Sequence, residues 1–188
     1  MSLTVLLGGA RSGKSTLAAS TAAEAEAEAE AEAGPAVCYI ATAEARDQEM
    51  AARIEMHRRT RPGSWTTIEE PVDLMAALDG VPTEAIVIID CLTLWVSNML
   101  EQDGSDDAIL QTADDAARVA ARRSGRVIAI TNEVGSGIVP LNPLARRYRD
   151  LLGMVNARWC THADQAFLVV AGRTLALSDP SDPSGAIR

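Results

Sequence analysis

Eight residues near the start of the chain restrict its fold more than any others. Gly8-Gly9-Ala10-Arg11-Ser12-Gly13-Lys14-Ser15 fits the pattern G-x-x-x-x-G-K-[ST]. The flanks are those the pattern requires. Leu3-Thr4-Val5-Leu6-Leu7 before it is a short apolar run suited to a buried parallel strand, and Thr16-Leu17-Ala18-Ala19 after it suits the opening of a helix. A strand, a glycine-rich turn and a helix N-terminus in that order point backbone N–H groups inward around a phosphate, with the positive end of the helix dipole behind them. Gly8 and Gly13 permit a backbone approach that a Cβ would block. Lys14 would reach the β- and γ-phosphates and the Ser15 hydroxyl would ligate Mg²⁺. Lys14 is also the only lysine in the chain; the other 16 of the 17 basic residues are arginines.

Such a loop belongs in an alternating α/β chain, and the remaining pattern agrees. Further strands are predicted at Ala36–Ala41, Trp65–Glu69, Ala85–Ile89, Arg126–Thr131 and Ala166–Val170, with a short strand at Leu175–Leu177 paired through a turn at Gly172-Arg173. Helical spacing is read at Asp47–Arg59, Leu110–Arg123 and Leu144–Cys160; the last sets Leu144, Tyr148, Leu151, Leu152, Val155 and Trp159 on one stripe. Strands alternating with helices imply a mostly parallel sheet covered on both faces, with ligands at the carboxyl ends of the strands. Residues 1–188 read as one domain, with no linker-like stretch or internal repeat. The low-complexity Ala/Glu tract at 23–33 is expected to extend the helix that begins at Lys14 and to stop at Gly34-Pro35, as a solvated extension remote from the phosphate loop.

Charge narrows the function classes. A formal net charge of −9 leaves no surplus of Lys/Arg to displace counterions, which argues against a general nucleic-acid binder. Anionic ligands would need local positive charge instead. Three widely spaced cysteines with no C-x-x-C pairing suit a reduced, cytoplasmic protein. No apolar stretch approaches the ~20 residues of a bilayer span, and no basic-then-apolar leader is read at the start.

Beyond the loop, Ala85-Ile86-Val87-Ile88-Ile89-Asp90 is an apolar strand ending in an acid, placed to hold Mg²⁺ directly or through water, or else to cap the next turn. His57, one of two histidines, lies beside Arg58, Arg59 and Arg61. A histidine near a helix end is often a solvated surface residue, but neighbouring guanidinium groups favour a neutral, nucleophilic ring and also bind phosphate oxygens. Such a ring can attack an α-phosphorus and divide one hard transfer into two easier ones. His162 has no such neighbours and reads as structural. Asn132 and Glu133, in Thr131-Asn132-Glu133-Val134-Gly135-Ser136-Gly137-Ile138-Val139-Pro140, could contact substrate or metal, or simply satisfy backbone groups. On residues alone, a monofunctional small-molecule kinase and a nucleotide-driven switch or motor subunit stay open as alternatives.

Taken together, GGARSGKS, Tyr39-Ile40-Ala41-Thr42-Ala43, Glu49-Met50-Ala51-Ala52-Arg53-Ile54 with His57 and Arg61-Pro62, Asp90-Cys91-Leu92-Thr93, and TNEVGSGIVP through Asn142-Pro143-Leu144-Ala145-Arg146 resemble the bifunctional adenosylcobinamide kinase/adenosylcobinamide-phosphate guanylyltransferase family of cobalamin biosynthesis. The resemblance runs from Leu3 to about Val170. It implies a phosphate-loop NTPase fold of the RecA-like branch and a homotrimer. It also implies two reactions. ATP or GTP phosphorylates adenosylcobinamide; GTP then gives GMP to a histidine, which passes it to adenosylcobinamide phosphate to yield adenosylcobinamide-GDP. The guanylylated histidine falls on His57. Nucleotide contacts fall on Gly8, Gly9, Ala10, Arg11, Ser12, Gly13, Lys14 and Ser15, on Ala41, Thr42 and Ala43, on Arg58, Arg59, Thr60 and Arg61, and on Glu69 and Asp90, with Ser15 and Asp90 toward Mg²⁺. Some relatives carry a His pair where this chain has Met56-His57, and some carry Glu in place of Asp90.

Overall fold

The computed structural model describes residues 2–28 and 36–179. Seven strands form one sheet: β1 (Ser2–Gly8), β2 (Val37–Ala41), β3 (Thr66–Glu69), β4 (Ile86–Asp90), β5 (Arg126–Asn132), β6 (Gln165–Val170) and β7 (Arg173–Leu177). Six helices accompany them: α1 (Lys14–Glu28), α2 (Gln48–Arg59), α3 (Leu74–Asp79), α4 (Leu92–Glu101), α5 (Asp106–Arg122) and α6 (Pro143–His162). The strand order is β3-β2-β4-β5-β1-β6-β7, and every pairing is parallel except that of β6 with β7. The expected α/β class and mostly parallel sheet are therefore present.

Burial on both sides explains why the inner strands read as continuous apolar runs rather than alternating ones. On one face, Leu3, Val5, Ile40, Val87, Ile89, Val127 and Ala129 pack under α3, α4, α5 and α6. On the other, Leu6, Tyr39, Ile86, Ile88, Ile128 and Ile130 pack under Ala18 and Ala22 of α1, with Trp65 alongside. Helix α2 belongs to neither layer, for it has no buried residue.

Several expectations shift in detail. Helix α5 starts at Asp106 instead of Leu110, because Ser105 caps it by accepting the Ala108 N–H at 3.3 Å. On α6, Leu151, Leu152, Val155 and Trp159 are buried as the stripe predicts, but Leu144, in its first turn, is 61% exposed. The β6–β7 turn is made by Ala171 and Gly172, both at positive φ, one residue earlier than expected. The expected helical extension over the Ala/Glu tract is seen as far as Glu28; the rest of it, with Gly34-Pro35, lies outside the described residues.

Candidate active site

At the carboxyl edge of the central strands, the chain leaves β1 at Gly8 and enters α1 at Lys14. The turn between them is compact. Gly8 has φ +155°, and a Cβ built there would meet the backbone oxygen of Val169 at 2.2 Å, so a side chain would collide with β6. Gly13 has φ +105°, a region that L side chains avoid. The turn is held from outside by the β6–β7 hairpin, whose Gly172 N–H donates to Ser12 O at 2.8 Å. Lys14 is buried, and its Nζ donates to Gly8 O at 2.8 Å and Gly9 O at 2.7 Å. Burial lowers its pKa; Asp90 opposes the shift, and the positive charge of Arg53 adds to it.

Asp90 ends β4 beside this loop. Its Oδ2 accepts the Ser15 hydroxyl at 3.0 Å and also the hydroxyl of Tyr39. Burial, with the Asp90 charge behind it, pushes the Tyr39 phenol well above its ordinary range. Asp90 therefore takes part in the site and does not cap α4, whose N-cap is Cys91 with no side-chain bond. Two hard oxygen donors 3.0 Å apart at the loop's mouth fit Mg²⁺, which takes few protein ligands and completes its octahedron with phosphate and water. Among the described residues, no cluster of three or more His, Cys, Asp or Glu offers an all-protein metal cage.

Over this edge stands α2. Asp47 caps it, accepting the Met50 N–H at 2.7 Å, and Arg58 and Arg59 in the last turn complement the negative end of its dipole. Local capping thus makes the helix, since no apolar stripe ties it to the sheet. Met50, Ile54 and His57, at i, i+4 and i+7, turn the same way and are its half-buried residues. They line a cavity of about 380 Å³ together with Arg53, the loop from Ala10 to Thr16, Tyr39, Ala41, Ala43, Arg61, Asp90, Cys91, Thr93 and Asn132. His57 and the phosphate loop therefore share one cavity. The chain just beyond α2 is fastened by Arg61, whose guanidinium carbon lies 3.5 Å from the centroid of the Tyr39 ring.

The remaining expected residues are placed differently. Thr42 is fully buried, and its hydroxyl donates to Cys91 O at 2.7 Å and accepts the Cys91 N–H at 2.8 Å, joining the ends of β2 and β4. Arg58 is ion-paired with Glu69, Arg59 with Glu55 at 2.9 Å, and the Thr60 hydroxyl donates to His57 O at 2.9 Å. None of these, nor Gly8 or Gly9, lines the cavity. Glu133 accepts the N–H groups of Gly135 at 2.8 Å and Ser136 at 3.2 Å, serving its own loop. His162 pairs with Asp114 at 2.8 Å between α6 and α5. Tyr39 and Arg53 were not singled out by sequence. Arg53 carried a signal, because it stands one turn before His57 on the same helical face.

A cavity of about 380 Å³ lined by Arg11, Lys14, Arg53 and Arg61 at the carboxyl edge of a parallel sheet, with a lysine-bearing glycine loop after β1 and an acid at the end of β4, defines a phosphate-loop protein of the α/β class. The family described as cobinamide kinase / cobinamide phosphate guanyltransferase matches residues 4–177, and the chain belongs to it. It is similar to the bifunctional adenosylcobalamin biosynthesis protein CobP of Pseudomonas aeruginosa, 40% identical over 92% of this chain and 95% of that one. It is similar also to the bifunctional adenosylcobalamin biosynthesis proteins CobU of Salmonella typhimurium and Escherichia coli, each 38% identical over 89% of this chain and 95% of theirs. No helix among the described residues is long and apolar enough to cross a membrane.

Proposed function

We propose that this chain phosphorylates adenosylcobinamide with ATP or GTP and then, through a GMP–His57 intermediate, transfers GMP from GTP to adenosylcobinamide phosphate. Family membership supports the pair of activities; the observation that carries the covalent step is His57 on the wall of the same cavity as Lys14. Two other side chains there are disfavoured as nucleophiles. Burial pushes the Cys91 thiol up to about 12, so it stays protonated, and the Tyr39 phenol is shifted upward for the same first reason.

In the first reaction the loop N–H groups and Lys14 hold the β- and γ-phosphates, and the acceptor hydroxyl oxygen forms a bond to the γ-phosphorus as its proton passes to water, while the bond from that phosphorus to the β-phosphate oxygen breaks and its electron pair leaves on the nucleoside diphosphate. In the second, a lone pair of His57 forms a P–N bond to the α-phosphorus. The bond from that phosphorus to the β-phosphate oxygen breaks, and its electron pair leaves on pyrophosphate. An oxygen of adenosylcobinamide phosphate then forms a P–O bond to the same phosphorus, and the P–N pair returns to the ring. Ser15 and Asp90 would hold Mg²⁺, which when bound neutralises charge on the phosphates. In this reading the Ala41 and Ala43 backbone borders the nucleotide, and the neutral-alanine wall there leaves recognition to main-chain groups. A cytoplasmic setting rests on the three free thiols Cys38, Cys91 and Cys160; a homotrimer rests on the family resemblance alone.

The test is the mass of the intact protein after incubation with GTP and Mg²⁺. One added GMP, labile to acid and stable to base, is the expected result. His57→Ala should abolish the adduct while cobinamide phosphorylation continues. An adduct that survives in that variant removes His57 from the mechanism, and no adduct on the parent protein leaves the monofunctional kinase.

A further inference from the structure

Four arginines lie on α2 or just beyond it, and three are occupied. Arg58 is ion-paired with Glu69 and Arg59 with Glu55. Arg61 lies over Tyr39 and donates to the Thr67 hydroxyl at 3.2 Å. Arg53 differs. It makes no hydrogen bond or ion pair among the described residues, yet it lines the cavity and stands close enough to Lys14 for its charge to act on that ammonium. It is four residues before His57, hence on the same face, with Cβ atoms about 5–6 Å apart by helical geometry. Arg11 reaches the cavity from the phosphate loop and is likewise without a hydrogen-bond or ion-pair partner among the described residues. The guanidinium groups of Arg11, Arg53 and Arg61 and the Lys14 ammonium line one cavity against the single carboxylate of Asp90, an excess of positive charge that suits an anion.

We propose that Arg53 is the cation that grips the α-phosphoryl group during its transfer to and from His57. This rests on the GMP–histidine reading above and adds to it a substrate-contacting residue. As the His57 lone pair closes on the α-phosphorus and the bond to pyrophosphate breaks, negative charge gathers on the non-bridging oxygens. A planar guanidinium one helical turn away can donate two N–H bonds to them. Carried on the nucleophile's own helix, Arg53 keeps the same relation to the phosphoryl group in both half-reactions. Arg58 and Arg59, by contrast, spend their charges on Glu69 and Glu55 and serve the helix itself.

The experiment is a time course of covalent label from α-³²P-GTP with Mg²⁺ on the full chain and its variants. Arg53→Gln should slow labelling by about a hundred- to a thousandfold, the usual effect of losing one donor to a developing oxyanion, and Arg53→Lys should recover part of that loss. Arg59→Gln, which loses only an ion pair within α2, should slow it by far less. Arg53 and Arg59 are exposed, so the variants should melt with the parent protein. Labelling of Arg53→Gln at the parent rate, or an equal loss in Arg59→Gln, overturns the proposal. Absence of label on the parent protein overturns the reading beneath it as well, and so tells the two failures apart.

Discussion

Replacing Gly8 by alanine tests whether the phosphate loop is held by close backbone contact with β6. The added Cβ would lie 2.2 Å from Val169 O, 2.9 Å from Ser12 Oγ and 3.2 Å from Val169 C, at a φ of +155°. The first of these contacts is with backbone and cannot be relieved by a rotamer change. β1 and β6 must separate by about 1 Å to restore van der Waals distance. Overpacking of that kind costs about 1–3 kcal/mol, and the strained dihedral adds about 1–3 kcal/mol, so a loss of about 2–6 kcal/mol is expected. For a domain of this size that corresponds to a fall in Tm of roughly 4–24 °C. Gly9→Ala is the internal control, because a Cβ there meets nothing within 4 Å, and it should stay within about 0.5 kcal/mol. Urea denaturation of both variants, with GTP binding measured alongside, provides the readout. If Gly8→Ala unfolds at the same urea concentration as Gly9→Ala, the close approach of β6 is not what shapes the loop.

Two further outcomes follow from the neighbourhood of the site. Asn98 is buried and donates to Thr42 O at 2.8 Å and Pro71 O at 2.9 Å; Asn98→Leu leaves both carbonyls without that donor, at about 1–3 kcal/mol each, and equilibrium unfolding within about 0.5 kcal/mol of the parent would contradict the assignment. Glu133 has its pKa held below the ordinary 4.5, since burial, which raises it, is outweighed by the Gly135 and Ser136 donors. A depressed carboxylate stabilises its loop above pH 4.5 and ceases to as pH falls through the folded value. Hydrogen exchange at the Gly135 and Ser136 amides should therefore lose protection in acid, and Glu133→Gln should lose most of that pH dependence.

What could be read from sequence was local. The phosphate loop, the acid at the end of β4 and the helical pattern of α2 are all written in residues a few positions apart, and each appears where the pattern places it. Tyr39 carried no such sign. It meets Asp90 across 51 residues of chain, through a β2–β4 register that sets Tyr39 against Ile88 and Ala41 against Asp90. Only the strand order, which no short window encodes, makes that pair. Helices α3 and α4 were missed for different reasons. Six of the ten residues of α4 are buried and its N-cap, Cys91, forms no side-chain bond, so neither a polar face nor a start signal marks it. Helix α3 is six residues long, too short for a period to show. The charged helix α2 misled in the opposite direction. Counting arginines near His57 favoured Arg58 and Arg59, whereas side-chain direction on the helix turns Arg53 toward the cavity.

Helix α2 buries nothing of its own, and its last turn is moored by the ion pair from Arg58 to Glu69 and the stacking of Arg61 on Tyr39. His57, the proposed nucleophile, thus stands on a helix that contributes no fully buried residue to either apolar layer. A chain built this way can lose or regain one of its chemistries by changing a few moorings, with the nucleotide seat left whole. The same economy should make α2 the first segment a protease cuts and the first that bound nucleotide protects.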